Sequence, residues 1–240
     1  MKNDIAKLEL KNKSNKIFGI GMPKTGTCSL NKALQILGYR SFHYPLAYVY
    51  SNSLSIPASL WEESIVRRQF SLSEDNELSG KMVEMGNLNF GQWDALSNFG
   101  EHIYPLLDKE FFNSKFILTV RNKKDWLEST KNHFIRMPTF EEDHSPAGGI
   151  LRLIMRVHIY GYALYNEEYF SILYDNHIRN VKYYFKDREK DLLIMDICDG
   201  SGWEKLCPFL DKDIPKDLFP HRNTAFQIME KNKENNCYEI

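Results

Sequence analysis

The sequence predicts an α/β domain, a three-layer sandwich with a central, mostly parallel sheet flanked by helices. Two short apolar runs, residues 16–20 (KIFGI) and 115–120 (KFILTV), have the near-continuous hydrophobicity of strands buried on both faces. Each is followed by an amphipathic stretch of helical period. Strands that alternate with helices build parallel sheets, and such sheets hold ligands beyond the carboxyl ends of their strands.

The elements follow in order. Residues 1–15 are rich in Lys and Asn and read as a loose tail. Residues 16–20 form the first strand. Residues 28–37 form a helix with Leu30, Ala33, Leu34 and Leu37 on one face and Gly38 as its stop. Residues 41–44 read as a short strand. Residues 46–80 are polar and Ser-rich, with one helix expected around 60–70. Residues 94–99 (DALSNF) suit a strand and 103–111 a helix. The clearest strand, 115–120, ends at Arg121. Asn122 is a good N-cap there, and Asp125 complements the dipole of a helix over 123–134. A long helical region is expected over 147–187, a last strand over 191–197 and a short helix over 203–210. A charged segment, 224–240, closes the chain.

Length and composition bound the answer further. At 240 residues the chain suits one domain with a real core, spanning 1–240. The net charge of -1 argues against a bulk electrostatic role on nucleic acid. The most apolar long stretch, 150–165, contains Arg152, Arg156 and His158, which makes it a protein helix rather than a bilayer span. Cys28, Cys198, Cys207 and Cys237 match neither a zinc site nor a disulfide scaffold. With no export signal, a reduced cytoplasm is the default expectation. No metal-ligand set stands out.

The chemistry concentrates at 18–30, FGIGMPKTGTCSL. Gly21 and Gly26 have the spacing of the outer glycines of a phosphate-binding loop, and a helix start follows. Lys24 supplies a mobile charge, and Thr25, Thr27 and Ser29 carry hydroxyls. A nucleotide triphosphatase would place Lys and then Ser or Thr after the second glycine. Here Thr27 and Cys28 stand there. Thr27 cannot reach the outer phosphates as a lysine does, and a thiol is a poor magnesium ligand. A transferred sulfuryl group carries less negative charge than a terminal phosphoryl group, so one lysine and oriented backbone donors suffice without a metal. Polar residues also fall at two other predicted strand ends, 43–44 and 121–129.

These residues resemble a known family. GMPKTGTCSL is similar to the 5′-phosphosulfate loop of sulfotransferases, and FILTVRNKKDWLES to their 3′-phosphate motif, an Arg at a strand end with a Ser eight residues later. WDALSNF, LLIMDICDGSGWEKLCPFL and FPHRN resemble further blocks of the small P-loop sulfotransferases, in patches from about 17 to 223. The resemblance implies the P-loop form of the three-layer sandwich and the donor 3′-phosphoadenosine 5′-phosphosulfate, with 3′,5′-adenosine bisphosphate as product. It assigns the 5′-phosphosulfate to Pro23, Lys24, Thr25, Gly26, Thr27, Cys28 and Ser29. It assigns the 3′-phosphate to Arg121 and Ser129, with Arg222 as a further cation. Arg suits a phosphate because its planar fork gives parallel charge-assisted bonds. Cys28 stands where the family's loop more often has Thr, and Lys123 where it often has Pro.

Sulfuryl transfer to a hydroxyl or amine needs a group to take the acceptor's proton. The resemblance points to the acidic Asp94 as base; His43, in FHYP, is the second candidate. Lys24 is expected to stabilise charge on the bridging oxygen. A small, apolar acceptor is expected, with the region 134–187 forming its side of the cleft. Phe134, Met137, Phe140, Met155, Tyr160, Tyr162 and Tyr165 crowd this region, where helical spacing favours core over pocket. Residues 137–149 suit a lid or an ordinary surface loop. No partner beyond the acceptor is implied, and a homodimer is compatible with the reading. The alternatives are a P-loop small-molecule kinase, for which LLIMD would end on a magnesium-holding Asp196, and a non-catalytic nucleotide-binding protein.

Overall fold

The computed structural model describes residues 15–43, 93–98, 101–136, 156–199 and 202–221. Outside them lie several of the expectations above: Tyr44, the helix around 60–70, the segment 137–149, Arg222, the N-terminal tail and the charged C-terminal segment.

A five-stranded, all-parallel sheet forms the centre. Its strands are β1 (Ile17–Gly19), β2 (Ser41–His43), β3 (Ala95–Ser97), β4 (Lys115–Val120) and β5 (Leu192–Asp196). Their order is β2-β3-β1-β4-β5. The chain therefore passes from β1 to the edge strand β2, returns inward to β3, and then crosses to β4 and β5 on the other side. β1 lies at the switch point, where the carboxyl edge opens into a crevice. The helices are α1 (Thr27–Ile36), α2 (Tyr104–Glu110), α3 (Lys123–Arg136), α4 (Glu167–Tyr184) and α5 (Gly202–Phe209).

Alternation along the strands splits the core into two layers. Phe18, Leu96, Phe116 and Leu118 pack with Leu107 of α2 and Val181 of α4. Ile17, Ala95, Ile117 and Met195 face the opposite way, against Leu30, Ala33 and Leu34 of α1 and Trp203 and Leu206 of α5. Burial on both faces is what the unbroken apolar run of β4 implied.

Helix α3 starts as its sequence dictates. Asn122 Oδ1 accepts from the backbone N–H groups of Lys124 and Asp125, at 3.0 and 3.4 Å. The expected continuous helix over 147–187 is instead interrupted. Residues 156–160 are helical, the chain turns at Gly161 with φ +72°, and α4 begins afresh at Glu167. Asn166 caps it by accepting from Tyr169 N at 2.9 Å, with Glu167 and Glu168 in the first turn. The signals for this restart, a glycine followed by Asn-Glu-Glu, were present in the sequence but outweighed by the apolar periodicity around them.

Candidate active site

The loop between β1 and α1 owes its shape to its two outer glycines. A Cβ on Gly21 would lie 2.0 Å from Thr119 Oγ1 and 2.5 Å from Thr119 O, so only hydrogen fits where β1 leaves the sheet beside β4. Gly26 has φ +93° and stands as the N-cap of α1. An L side chain there would be strained by the backbone alone. Lys24 is also left-handed, with φ +74°. No side chain caps α1. In anion-binding loops, the ligand satisfies the first N–H groups of the helix.

The loop is braced from beneath and from one side. Thr25 is fully buried, its hydroxyl 2.6 Å from both Met22 O and Thr119 Oγ1. That corrects the expectation for its side chain: the Thr25 hydroxyl is spent inside the loop, so only its backbone can serve a ligand. Trp126 of α3 donates its Nε1–H to Pro23 O at 2.8 Å. The same indole stacks on Tyr174 of α4, with centroids 4.4 Å apart. His177 of α4 donates its Nε2–H to Ile20 O at 2.8 Å, just ahead of the loop.

Arg121 lies at the carboxyl end of β4. Its backbone N–H donates to the Tyr174 hydroxyl at 2.8 Å, and that hydroxyl donates in turn to Arg121 O at 2.7 Å. Its guanidinium leans towards the loop, with one nitrogen 3.4 Å from Lys24 O. Its Nε is buried without a hydrogen-bond partner among the described residues. Ser129 sits half-buried two turns along α3. The structure thus joins Arg121 to the loop, as the motif order suggested.

His43, the last residue of β2, reaches the start of α1. Its Nε2 is 3.2 Å from Thr27 Oγ1 and 3.4 Å from Cys28 Sγ. β2 is held against α1 by Ser41, which donates its hydroxyl to Asn31 Oδ1 at 2.7 Å, and by Gln35, whose amide donates to Ser41 O at 3.2 Å. Burial pushes the His43 imidazole down to about 4, so it is neutral near pH 7. Thr27 and Ser29 are both buried in this first turn of α1.

Asp94 lies elsewhere. It precedes the first residue of β3, and its carbonyl accepts from Ile17 N at the start of β1. In a parallel sheet that is the amino edge, away from the loop. Its carboxylate is gripped by Arg40, which donates from its backbone N, Nε and NH2 at 2.9, 2.9 and 2.7 Å. Hydrogen bonding to that guanidinium holds the carboxyl below the usual aspartate range. The geometry corrects the preference for Asp94 as a base: strand direction separates it from Lys24, and Arg40 occupies both its oxygens.

The aromatic residues of the second half divide. Phe134 and Tyr160 are buried with Met22, Trp126, Phe170 and Tyr174, forming a core that backs the loop. Tyr165 packs on its rim and Tyr162 is exposed; Met137, Phe140 and Met155 lie outside the described residues. Asp196, the kinase reading's magnesium ligand, ends β5 and accepts from Cys198 N at 2.8 Å, capping a short turn. Among the described residues no cluster of His, Cys, Asp and Glu is arranged to hold a metal, and no helix is long and apolar enough to cross a membrane.

Sequence reasoning overlooked Thr119, Trp126 and Tyr174, which hold the loop and Arg121 in place. It also overlooked Asn98, at the carboxyl end of β3. Only the last could have been found from position, as a polar residue near the carboxyl end of the strand expected over 94–99.

Comparison with known proteins identifies the family. Ava biosynthesis cluster protein M of Aspergillus versicolor is 26% identical over 235 residues, covering 88% of this chain and 81% of that protein. A family model described as a sulfotransferase domain matches residues 16–228, from the first residue before β1 to beyond the last described residue. With its loop, its Arg121 and nearly its whole length inside that match, the chain belongs to the sulfotransferase domain family.

Proposed function

We propose that the protein transfers a sulfuryl group from 3′-phosphoadenosine 5′-phosphosulfate to a hydroxyl of a small-molecule acceptor. The observation that carries the donor reading is the buried, unpartnered Nε of Arg121, 97 residues away in sequence from the loop it adjoins. A buried guanidinium nitrogen without a partner is costly, and a phosphate supplies the bond it lacks. Gly21, which excludes a Cβ, the left-handed Gly26 and a helix start with no side-chain cap provide for a second anionic group. The residues therefore fit a ligand bearing two separated phosphate-type groups.

In this reading Arg121 and Ser129 hold the 3′-phosphate, and Arg222 is a further candidate for it. Lys24 and the backbone of residues 23–29, with the hydroxyls of Thr27 and Ser29, hold the 5′-phosphosulfate. Neutral His43 is the base, in preference to Asp94. The acceptor oxygen forms a bond to sulfur as the bond from sulfur to the bridging oxygen breaks. The acceptor's proton passes to His43, and Lys24 offsets the charge that stays on the departing phosphate. No step calls for a metal. The relative's name places that protein in a biosynthesis cluster, which supports a small-molecule acceptor here. A location in the cytoplasm and a single domain over 1–240 accompany this reading.

Calorimetric titration with 3′,5′-adenosine bisphosphate, with and without magnesium and against ATP, tests it. Tight binding of the bisphosphate that ignores magnesium is expected. Preference for magnesium–ATP would overturn it in favour of a kinase.

A further inference from the structure

Asn98 follows directly on the last residue of β3. It is only 5% exposed, and its Oδ1 has no hydrogen-bond partner among the described residues. Its φ is +58°, in the left-handed region. A buried acceptor left unpaired is destabilising. Such costs collect at functional sites, where a ligand supplies the missing bond.

Position defines which ligand group that is. Ser97, the residue before, is registered with Gly19 of β1 on one side and with His43 of β2 on the other. Asn98 thus stands at the carboxyl edge between the strand that feeds the loop and the strand that carries His43. Neighbouring strands lie about 4.8 Å apart. A pair of donors on adjacent carbons is the compact ligand that can engage a base at one strand end and an acceptor oxygen at the next, each through a hydrogen bond of about 2.8 Å.

We propose that Asn98 Oδ1 binds the acceptor, taking a hydrogen bond from an O–H or N–H on the carbon next to the one that is sulfated. The acceptor class is then a catechol, a vicinal diol or a 1,2-amino alcohol rather than a simple monohydroxy compound. This rests on the sulfotransferase reading above. It narrows the expected apolar acceptor to one with a polar pair at its reacting end.

The test uses Asn98→Gly, which removes the amide while keeping a residue suited to left-handed backbone. Wild type and variant are assayed with matched phenols and catechols and with matched monohydroxy and vicinal dihydroxy alkanes and 1,2-amino alcohols. Bisphosphate titration and melting curves run alongside. Wild type is expected to favour the paired-donor compounds by at least about tenfold in kcat/KM. Asn98→Gly should lose most of that preference through acceptor KM, with bisphosphate affinity unchanged and melting temperature equal or higher. Asn98→Asp, which keeps an acceptor oxygen, should retain part of it. An unchanged acceptor preference in Asn98→Gly overturns the proposal, as does turnover confined to monohydroxy compounds or absent throughout the paired series. A large fall in melting temperature also overturns it, because the amide is then structural. Failure of wild type to bind the bisphosphate would instead defeat the underlying donor reading.

Discussion

The hydroxyl of Tyr174 closes both backbone valences of Arg121, accepting from its N–H at 2.8 Å and donating to its carbonyl at 2.7 Å. A side chain on α4 thereby fixes the exact point where β4 ends and the guanidinium begins. Burial pushes the phenol up to about 12, so it remains a donor across the working range. Tyr174→Phe keeps the stacking surface against Trp126 and leaves two backbone groups unpaired. A loss of about 1–3 kcal/mol in stability is expected. Bisphosphate affinity should fall with it, and calorimetry on the folded variant checks that; a lower melting point with unchanged affinity would confine Tyr174 to the fold.

Lys24→Ala separates binding from chemistry. If the ammonium acts on charge that develops only in transfer, kcat should fall by about 10²–10³ while bisphosphate affinity changes far less. Equal losses in the two quantities would remove Lys24 from the transition state.

The base is decided by a pair of variants. His43→Ala should reduce kcat at least about a hundredfold. Asp94→Asn, at the opposite edge of the sheet and tied to Arg40, should leave kcat almost untouched. The reverse pattern in steady-state kinetics would restore Asp94.

His43 also predicts a pH dependence. Its imidazole is held near 4 in the fold, against an ordinary value of 6.5. The folded state refuses a proton that the unfolded chain accepts, so stability is complete above the unfolded value and is lost as pH falls from about 6.5 towards about 4. At pH 5 the loss is about 2 kcal/mol relative to pH 7 from this group alone. Denaturant titrations of wild type and His43→Gln at both pH values measure it. The acid limb of kcat/KM should likewise fall near 4 rather than between 6 and 7.

Gly21→Ala tests the packing of the loop. The added carbon meets not only Thr119 Oγ1 but also Thr119 O and N, at 2.5 and 2.8 Å. Trimming the neighbour cannot relieve a clash with backbone. Gly21→Ala/Thr119→Ala should therefore remain as destabilised as Gly21→Ala in thermal melts, and rescue by the double variant would show that the hydroxyl was the true obstacle.

Much of this protein was legible from sequence because the signals are local. Residues 115–120 form a strand with the bounds their apolar run implied, Asn122 caps α3, and Gly21 and Gly26 mark a loop whose backbone tolerates little else. The order of two motifs put Lys24 and Arg121 beyond neighbouring strand ends, since parallel strands bring their carboxyl ends together. Tertiary structure decided what depends on direction and on distant partners. Resemblance put Asp94 ahead of His43 as base; Asp94 stands at the start of its strand and His43 at the end of its own, and in the folded parallel sheet that difference separates them by the depth of the sheet. Thr25 looked like a ligand group until Thr119, from another strand, took its hydroxyl. Trp126, although it lies within the second motif, and Tyr174, outside any motif, gave no sign of their bracing role, because a brace is defined by what it touches. A sequence specifies backbone preference and the chemistry of each side chain; which hydroxyl is spent inside and which is left for a ligand follows only when the chain has packed.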